Sequence, residues 1–269
     1  MASTEHFYEA IEGGLPLIGS PIEQVKTPPL VNERLRSKGS KIQMIPVEIK
    51  AHEVSPFFDT LRACEHARGC SSTIPYKSQV FEHMDATSPE AERLKVVNTV
   101  RRDHSGALVG CMTDGVAMVS ALRSKGIDPH GSIALIVGAG GGAGRAIADA
   151  LASANASRID LVDLNEEQLS ITFDALSSSF RHTVFHRGDR SGPWDIIINA
   201  SPLGSSGADP LPICAEHISM CTAVGDAVTA REETAIIQAA SIDGKVTVTG
   251  HEMARAQIDL QMRHWQLET

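Results

Sequence analysis

A glycine-rich turn between two apolar segments has the clearest chemical use in this chain. Residues 133–163 read IALIVGAGGGAGRAIADALASANASRIDLVD, which predicts a strand, the turn, a helix of small residues and a second strand ending at an acid. Glycines permit a tight turn and a close approach of the backbone to a pyrophosphate, and a helix N-terminus offers unpaired N–H groups to phosphates. The segment therefore predicts a dinucleotide-binding unit.

The individual glycines of this turn admit two registers. The run GAGGGAGRA (138–146) fits G-x-G-x-x-A from Gly138, which we prefer, and A-x-G-x-x-G from Ala139. The residue that lets the helix pack closely on the strand is Ala143 in the first register and Gly144 in the second. The predicted cofactor-binding residues of the turn are Gly138, Gly140, Gly141, Gly142 and Ala143.

The acid that ends the second strand bears on the choice of cofactor. Asp163 lies about 20 residues past the glycines, where a carboxylate would accept hydrogen bonds from the adenosine ribose hydroxyls. It would also repel the 2′-phosphate of NADP, and Leu164 and Asn165 supply no arginine to bind that group. Arg145 is the one residue of the turn that could reach a phosphate. The sequence predicts NAD as the cofactor, with NADP as the alternative.

The composition limits the classes of partner. The 269 residues carry a formal net charge of −9, which argues against nucleic acid and anionic membranes. No apolar run approaches the ~18 residues of a membrane span, and MASTEHFYEAIEGG at the start lacks a signal-peptide pattern. Five cysteines without a CxxC pair favour free thiols, and no metal site is predicted. We expect a cytoplasmic monomer or homodimer that binds a small molecule.

Strands and helices alternate from Ile133 onward, which predicts an α/β fold with a doubly wound parallel sheet. We predict two α/β domains, residues 1–114 with 251–269 and a Rossmann domain of residues 115–250 that binds NAD. A final helix after Gly250 returns to the first domain, and a polar loop is expected over Gly69–Lys77. The predicted Rossmann strands are Ile133–Val137, Ile159–Val162, Thr183–His186, Asp195–Asn199, Thr222–Val224 and Lys245–Thr249.

Six short motifs occur in one order around this predicted core. They are GSPIEQVKTPPLVN (19–32), STIPYK (72–77), VVNTV (96–100), GCMTDG (110–115), NASPLG (199–204) and GHEMARAQ (250–257). Together they resemble the shikimate/quinate dehydrogenase family over most of the chain. The resemblance implies a two-domain NAD(P)-dependent oxidoreductase that interconverts a ring secondary alcohol and its ketone on a cyclic carboxylic acid. It also implies that the first domain binds the substrate.

The resemblance implies a catalytic pair. Lys77 matches the catalytic lysine of the family, and Asp114 matches its partner aspartate. Hydride transfer from a secondary alcohol also requires removal of the hydroxyl proton, and a lysine beside a carboxylate can relay that proton. Asp114 begins a predicted helix, where the helix dipole favours an anion and where an aspartate is also an ordinary N-cap.

The other residues that the resemblance assigns would bind substrate or cofactor. Thr73 and Asn98 match polar groups that hold substrate hydroxyls, and Gln257 matches an amide of the C-terminal helix at the substrate. The remaining matches concern the cofactor, with Gly250 and Met253 at the nicotinamide and Asn199 and Ser201 in a loop that touches the dinucleotide.

The departures from the family pattern concern the substrate. Val25 and Thr27 stand where the family places two serines for the substrate carboxylate, so one hydroxyl is lost. Met112 replaces an amide, Ser71 replaces an asparagine and Thr229 replaces a tyrosine. Each lost hydrogen bond costs about 0.5–1.5 kcal/mol, so we expect a substrate pocket that differs from the usual one.

Two alternative functions are compatible with parts of this pattern. An NAD-binding metabolite sensor, or a pseudo-enzyme with little turnover on shikimate, would explain Val25, Met112 and Thr229. Another dehydrogenase of similar architecture, such as a folate-pathway or malic-type enzyme, is disfavoured by STIPYK and GCMTDG. Because Lys77, Asn98, Asp114 and Gln257 are all present, we favour the dehydrogenase.

Overall fold

The structure, a computed structural model, describes residues 13–23, 25–188 and 192–267. The chain divides into two compact units, Met1–Thr113 with Ile258–Thr269 and Asp114–Gln257. The boundaries predicted from the sequence, at residues 114 and 251, differ from this division mainly by the first turns of the last helix. The assignment of the two units to substrate and cofactor stays a prediction.

The first unit is a six-stranded mixed sheet with helices between its strands. Strand order is β2-β1-β3-β5-β6-β4, in which β1 runs parallel to β2 and β3, while β5 runs antiparallel to β3 and β6. Its elements are β1 (Gly13–Gly19), α1 (Thr27–Ser37), β2 (Ile42–Glu48), a 3-10 turn (Ala51–Glu53), α2 (Val54–Ala63), β3 (Gly69–Ser72), α3 (Lys77–Phe81), β4 (Ala86–Thr87), α4 (Pro89–Leu94), β5 (Thr99–Arg102) and β6 (Leu108–Cys111).

The prediction of a polar loop over Gly69–Lys77 was wrong for its first four residues, which form strand β3. It is a buried inner strand between β1 and β5. Its polar side chains are accommodated because the Ser71 hydroxyl donates to the Asn98 carbonyl at 2.8 Å and the Ser72 hydroxyl donates to the Val97 carbonyl at 2.7 Å. Buried polar groups satisfied in this way cost little, so the hydrophobic pattern did not reveal the strand.

The second unit is a six-stranded, fully parallel sheet in the order β12-β11-β10-β7-β8-β9. This order, with helices between the strands, is the doubly wound arrangement, and the α/β fold class is confirmed. Its elements are α5 (Asp114–Ser124), β7 (Ile133–Val137), α6 (Gly142–Ser153), β8 (Arg158–Val162), α7 (Glu166–Ser179), β9 (Val184–Arg187), β10 (Ile196–Asn199), α8 (Ala215–Met220), β11 (Ala223–Asp226), α9 (Ala235–Ile242), β12 (Val246–Val248) and the first turns of α10 (Gly250–Trp265).

The end of α10 belongs to the first unit, as the sequence predicted. Met262 and Trp265 are buried in the same apolar cluster as Leu15, Leu17 and Leu35. The indole nitrogen of Trp265 donates to the Val100 carbonyl at 3.0 Å. Within the described residues, no helix is long and apolar enough to span a membrane.

Replacement of Trp265 tests how much the last helix stabilises the first unit. Trp265→Ala should lower the free energy of unfolding by about 3–5 kcal/mol, because a large buried side chain leaves a cavity. Trp265→Phe should cost less, and Arg255→Ala, an exposed position on the same helix, should change stability by less than about 0.5 kcal/mol. Urea denaturation followed by circular dichroism measures all three. Equal, small losses for Trp265→Ala and Arg255→Ala would contradict this packing.

Candidate functional site

The glycine turn lies at the point where the strand order of the second unit reverses. Strands β7 and β10 are neighbours in the sheet, and the segments that follow them lead in opposite directions. Gly138 follows β7 with a φ of +84°, a conformation that glycine adopts without strain. A Cβ at this position would lie 2.4 Å from the backbone nitrogen of Ser201, after β10. Only glycine therefore allows the two loops to meet.

Close packing of α6 on the turn depends on Gly144. A Cβ there would lie 2.1 Å from the Gly138 carbonyl oxygen, whereas Ala143 carries its methyl group at a half-buried position. The register that gave this packing role to Ala143 was therefore wrong, because only a residue without a side chain fits against the strand end. Gly141 is the N-cap of α6. That Gly142 and Ala143 contact a cofactor stays a prediction.

Gly140 and Asp163 are joined by a hydrogen bond. The Gly140 N–H donates to Oδ2 of Asp163 at 2.8 Å, and the Asn165 N–H donates to Oδ1 at 2.8 Å. A Cβ at residue 140 would lie 3.0 Å from that carboxylate and 2.9 Å from Cβ of Gln168. Asp163 thus shapes the turn, and glycine is required at 140 by the protein's own side chains.

Arg145 lies inside this arrangement. It is 5% exposed, and its Nε donates to the Gly140 carbonyl at 2.9 Å, while its terminal nitrogen donates to the Gln168 side chain. Burial lowers the pKa of the guanidinium, and the charge of Asp163 opposes that shift. The turn therefore carries a cation and an anion that offset each other.

Asn199 shapes the loop that follows β10. Its side chain is fully buried, and Nδ2 donates to the Leu203 carbonyl at 2.9 Å and to Oδ1 of Asp226 at 3.0 Å. Its Oδ1 accepts from the N–H of Ser201 at 3.1 Å and from the hydroxyl at 2.6 Å. Asn199 therefore orders the loop through its side chain, and Ser201 presents the backbone that faces Gly138.

Asp226, at the end of β11, was not identified from the sequence. It is fully buried and accepts hydrogen bonds from Asn199, from the Val228 N–H at 3.0 Å and from the Thr234 hydroxyl. Burial raises its pKa to about 6, and the three donors oppose that shift. An acid that ends an apolar strand was the available signal, as it was for Asp163.

Residues of the first unit that were predicted to bind substrate gather at one edge of its sheet. Parallel strands β1 and β3 end at this edge, and β5, which is antiparallel to β3, begins there. The predicted residues follow or precede those strand ends in the chain: Val25 and Thr27 after β1, Thr73 and Lys77 after β3, and Asn98 before β5.

The carboxamide of Asn98 is fixed by neighbouring donors. Its Oδ1 accepts from the Thr99 hydroxyl at 2.9 Å, from the Thr113 N–H at 3.0 Å and from the Thr113 hydroxyl at 3.1 Å. The N–H of Val97 donates to the Lys77 carbonyl at 2.9 Å, which holds the start of α3 beside this segment. The structure thus brings Lys77 and Asn98 to adjoining segments of one edge.

Gln261 supports this arrangement and was also missed. Its side chain is 1% exposed, and Nε2 donates to the Ser71 hydroxyl at 3.3 Å and to the Thr99 hydroxyl at 3.2 Å. Its position one turn after Gln257 on α10 was the only sequence signal. Ser71 is the residue that replaces an asparagine of the family, so Gln261 supplies an amide close to that position.

Asp114 and Gln257 are brought together in the second unit. Both are buried, at 5% and 8% exposure, and Nε2 of Gln257 donates to Oδ1 of Asp114 at 2.5 Å. This bond joins the start of α5 to α10. The first residue of α10, Gly250, packs on the loop after β11, since a Cβ there would lie 2.0 Å from the Val228 carbonyl oxygen.

Within the described ranges, no group of three or more His, Cys, Asp or Glu side chains is arranged to hold a metal ion. His182 and His186 have an HxxxH spacing, but His182 precedes β9 and His186 lies within it, so the two are not on one face of a helix, where this spacing forms a metal site.

A parallel sheet in this order, with a glycine turn at its switch point, is the arrangement of a Rossmann-type unit. A family model described as the shikimate dehydrogenase substrate binding domain matches residues 17–100. A curated relative, shikimate dehydrogenase (NADP(+)) of Rubrobacter xylanophilus, is 32% identical over 254 residues, covering 93% of this chain and 89% of that protein. The chain belongs to the shikimate dehydrogenase family, which confirms the resemblance.

Solved structures agree with this fold. Shikimate 5-dehydrogenase from Listeria monocytogenes, in complex with shikimate and NAD, is 25% identical with a TM-score of 0.84, covering 99% of this chain and 94% of that one. The enzyme from Thermus thermophilus, in complex with NADP(H) and shikimate, is 25% identical with a TM-score of 0.83, covering 94% and 93%.

The prediction of NAD as cofactor is contradicted by the relatives. The Rubrobacter protein and further curated relatives are named for NADP(+). The prediction treated Asp163 as an isolated carboxylate that would repel a 2′-phosphate. Both of its oxygens instead accept backbone N–H groups, and the charge of Arg145 lies beside it. An acid compensated in this way repels a phosphate less than an isolated carboxylate does.

Two glycine replacements test the register of the turn. Gly144→Ala should destabilise the second unit by about 1–3 kcal/mol, the usual cost of overpacking, because its Cβ meets a backbone carbonyl. Gly141→Ala should be tolerated, because its Cβ would lie 3.5 Å from the Gly138 carbonyl oxygen. Urea denaturation of both variants decides the matter. Equal losses at the two positions would contradict the assignment of close packing to Gly144.

The raised pKa of Asp226 predicts a specific pH dependence of stability. Because the native carboxyl titrates at about 6 and its ordinary value is 3.8, the native state binds the proton more tightly. Stability from this group is therefore present below about pH 4 and is lost as the pH rises through 6, by about 3 kcal/mol in total.

The measurement is the free energy of unfolding of Asp226→Asn relative to wild type at pH 4 and at pH 7. Between pH 4 and pH 7 the difference should shift in favour of the variant by about 2 kcal/mol. Asp243→Asn removes an exposed carboxylate and should show no such shift. A constant difference for Asp226→Asn would contradict the raised pKa.

Proposed function

We propose that the protein is a dehydrogenase that transfers a hydride between NADP(H) and a ring secondary alcohol of shikimate or a similar cyclic hydroxy-acid. The relatives named for this activity span most of the chain. The observation that carries the proposal is the buried hydrogen bond between Asp114 and Gln257. It holds a carboxylate at the start of α5, where a family member needs its acid–base group.

The dinucleotide suits the glycine turn, because Gly138, Gly140 and Gly144 leave no side chains on a backbone that opens into the N-terminus of α6. When bound, NADP supplies the nicotinamide carbon that accepts the hydride. The first-turn N–H groups of α6 would bind the pyrophosphate. Arg145 would offset the charge of Asp163 beside the adenosine ribose, and Ser201 and Gly250 would flank the cofactor.

Lys77 and Asp114 would act together as the acid–base pair. In the direction of alcohol oxidation, Lys77 takes the hydroxyl proton while Asp114 stabilises the resulting ammonium group. Gln257 orients the carboxylate of Asp114 through the hydrogen bond to Oδ1. Asn98 and Thr73 would hold neighbouring ring hydroxyls, and the orientation of Asn98 is set by the donors of Thr99 and Thr113.

The substrate pocket would be less polar than is usual in the family. Val25 and Thr27 provide one hydroxyl for the carboxylate in place of two, and Met112 and Thr229 replace an amide and a phenol. Ser71 is not part of that loss, because its hydroxyl is bonded to the Asn98 carbonyl and to Gln261. We therefore expect a cyclic acid with fewer hydroxyl groups to compete well with shikimate.

Lys77→Met tests the reaction and the role of the lysine. Initial rates are measured from the absorbance of reduced nicotinamide, with shikimate, quinate and a deoxy analogue, each with NADP and with NAD. The variant should lose turnover by about 10²–10⁴-fold, the usual contribution of general acid–base catalysis. The dissociation constant for NADP, measured by calorimetry, should change by less than about twofold, because the lysine lies in the first unit.

Lys95→Met is the matched control. Lys95 is an exposed lysine of the same unit that pairs with Glu92, and its replacement should leave turnover unchanged. Retained turnover in Lys77→Met would remove the lysine from the mechanism. If wild-type protein is inactive with every substrate and both cofactors, the proposed reaction is wrong.

A further inference from the structure

Asp226 is a buried carboxylate to which the proposed reaction gives no task. In the described part of the chain, its hydrogen-bond donors are all neutral groups: the Asn199 amide, the Val228 N–H and the Thr234 hydroxyl. A residue that served packing alone would be apolar, because replacing a buried charge with a well-packed apolar group is often stabilising. The contacts of Asp226 indicate what the carboxylate does.

One set of contacts leads to the glycine turn. Asn199 bridges Asp226 to the loop of residues 199–204, since its amide also bonds Leu203 and both polar groups of Ser201. The backbone of Ser201 in turn lies against Gly138. A Cβ at residue 138 would lie only 2.4 Å from the backbone nitrogen of Ser201. The carboxylate is thus connected to the turn through the contacts of two intervening residues, Asn199 and Ser201.

Two further sets of contacts lead to other loops at the same end of the sheet. Val228 donates its N–H to Asp226, and its carbonyl faces Gly250 at the start of α10. Thr234 donates its hydroxyl to Asp226, and its side chain borders Gly204, where a Cβ would lie 3.1 Å from Cβ of Thr234. Asp226 therefore connects the loops after β10 and β11 with the beginning of the last helix.

We propose that Asp226 is a positioning residue for the dinucleotide, which holds loop 199–204 against the glycine turn through Asn199 and Thr234 without touching the cofactor itself. The inference rests on the proposed function in that the ligand is taken to be NADP. We expect this positioning to depend on the hydrogen bonds that residue 226 makes and not on its negative charge. An asparagine can accept from Asn199 and Val228 through Oδ1 and donate to the Thr234 oxygen through Nδ2.

The test compares Asp226→Ala with Asp226→Asn, with Asp243→Asn as the control at an exposed position of the same unit. Hydrogen–deuterium exchange reports the order of the loop directly, at the amides of Ser201, Leu203 and Gly204. Calorimetry gives the dissociation constant for NADP, and steady-state kinetics give the KM values for NADP and the cyclic acid.

Asp226→Ala should speed exchange at the three loop amides and raise the dissociation constant for NADP by about tenfold, the effect of roughly one lost hydrogen bond. The KM for the cyclic acid should change by less than about twofold, because that ligand is assigned mainly to the first unit. Asp226→Asn should restore both exchange and affinity to within about threefold of wild type, and Asp243→Asn should match wild type. If Asp226→Ala does not fold, Thr234→Val removes only the hydrogen bond between Thr234 and Asp226. It should give a smaller increase in loop exchange and in the dissociation constant for NADP.

Unchanged loop exchange in Asp226→Ala, or in Thr234→Val if the former is not obtained, would overturn the inference. It would also be overturned if Asp226→Asn were as impaired as Asp226→Ala, since the charge would then be the active property. Equal rises in the KM values for both substrates would show a general structural role and would count against it as well. If wild type binds NADP but turns over no cyclic acid, the proposed reaction fails, whereas the exchange and binding results still decide the inference.

Discussion

The close approach of two backbone loops at the switch point of the parallel sheet is the constraint on which the predicted cofactor site depends. Gly138 and Ser201 can meet only if residue 138 has no side chain, and the start of α6 can reach the turn only if residue 144 has none. The hydrophobic sheet brings the loops to one edge, but it does not bring them into contact. Contact is possible because residues 138 and 144 carry no side-chain atoms where the backbones meet.

The charged side chains near the glycine turn stabilise the conformation of its loops, in addition to any contact with a ligand. Asp163 accepts from the N–H groups of Gly140 and Asn165, and Arg145 donates to the Gly140 carbonyl. The end of β11 uses the same device, with Asp226 accepting from three neutral donors. In both places a carboxylate at or just after the end of a parallel strand accepts at least one backbone N–H group of the adjoining loops.

The sequence predicts the fold better than the site, for a physical reason. A continuous apolar run located β7 to its terminal residues, because a strand buried on both faces must be apolar. Strand β3 was not predicted because Ser71 and Ser72 are polar. In the folded chain their hydroxyl groups donate to backbone carbonyls that are distant in sequence, so they can be buried in a strand. The same holds for Gln261, whose partners lie 162 and 190 residues away in sequence. The prediction of NAD from Asp163 was wrong because it did not include the two backbone N–H groups and the charge of Arg145 that offset the carboxylate in the folded chain.

The edge of the first unit shows why a family pattern can survive the loss of several polar side chains. Asn98 is oriented by Thr99 and Thr113 through its carbonyl oxygen, and these donors do not depend on the residues that depart from the family. Gln261 reaches Ser71 and Thr99 from the last helix, so an amide is present near the position where the family places an asparagine. Losses at Val25 and Met112 would therefore change which acid is preferred, while the hydrogen bonds that orient Asn98 stay in place.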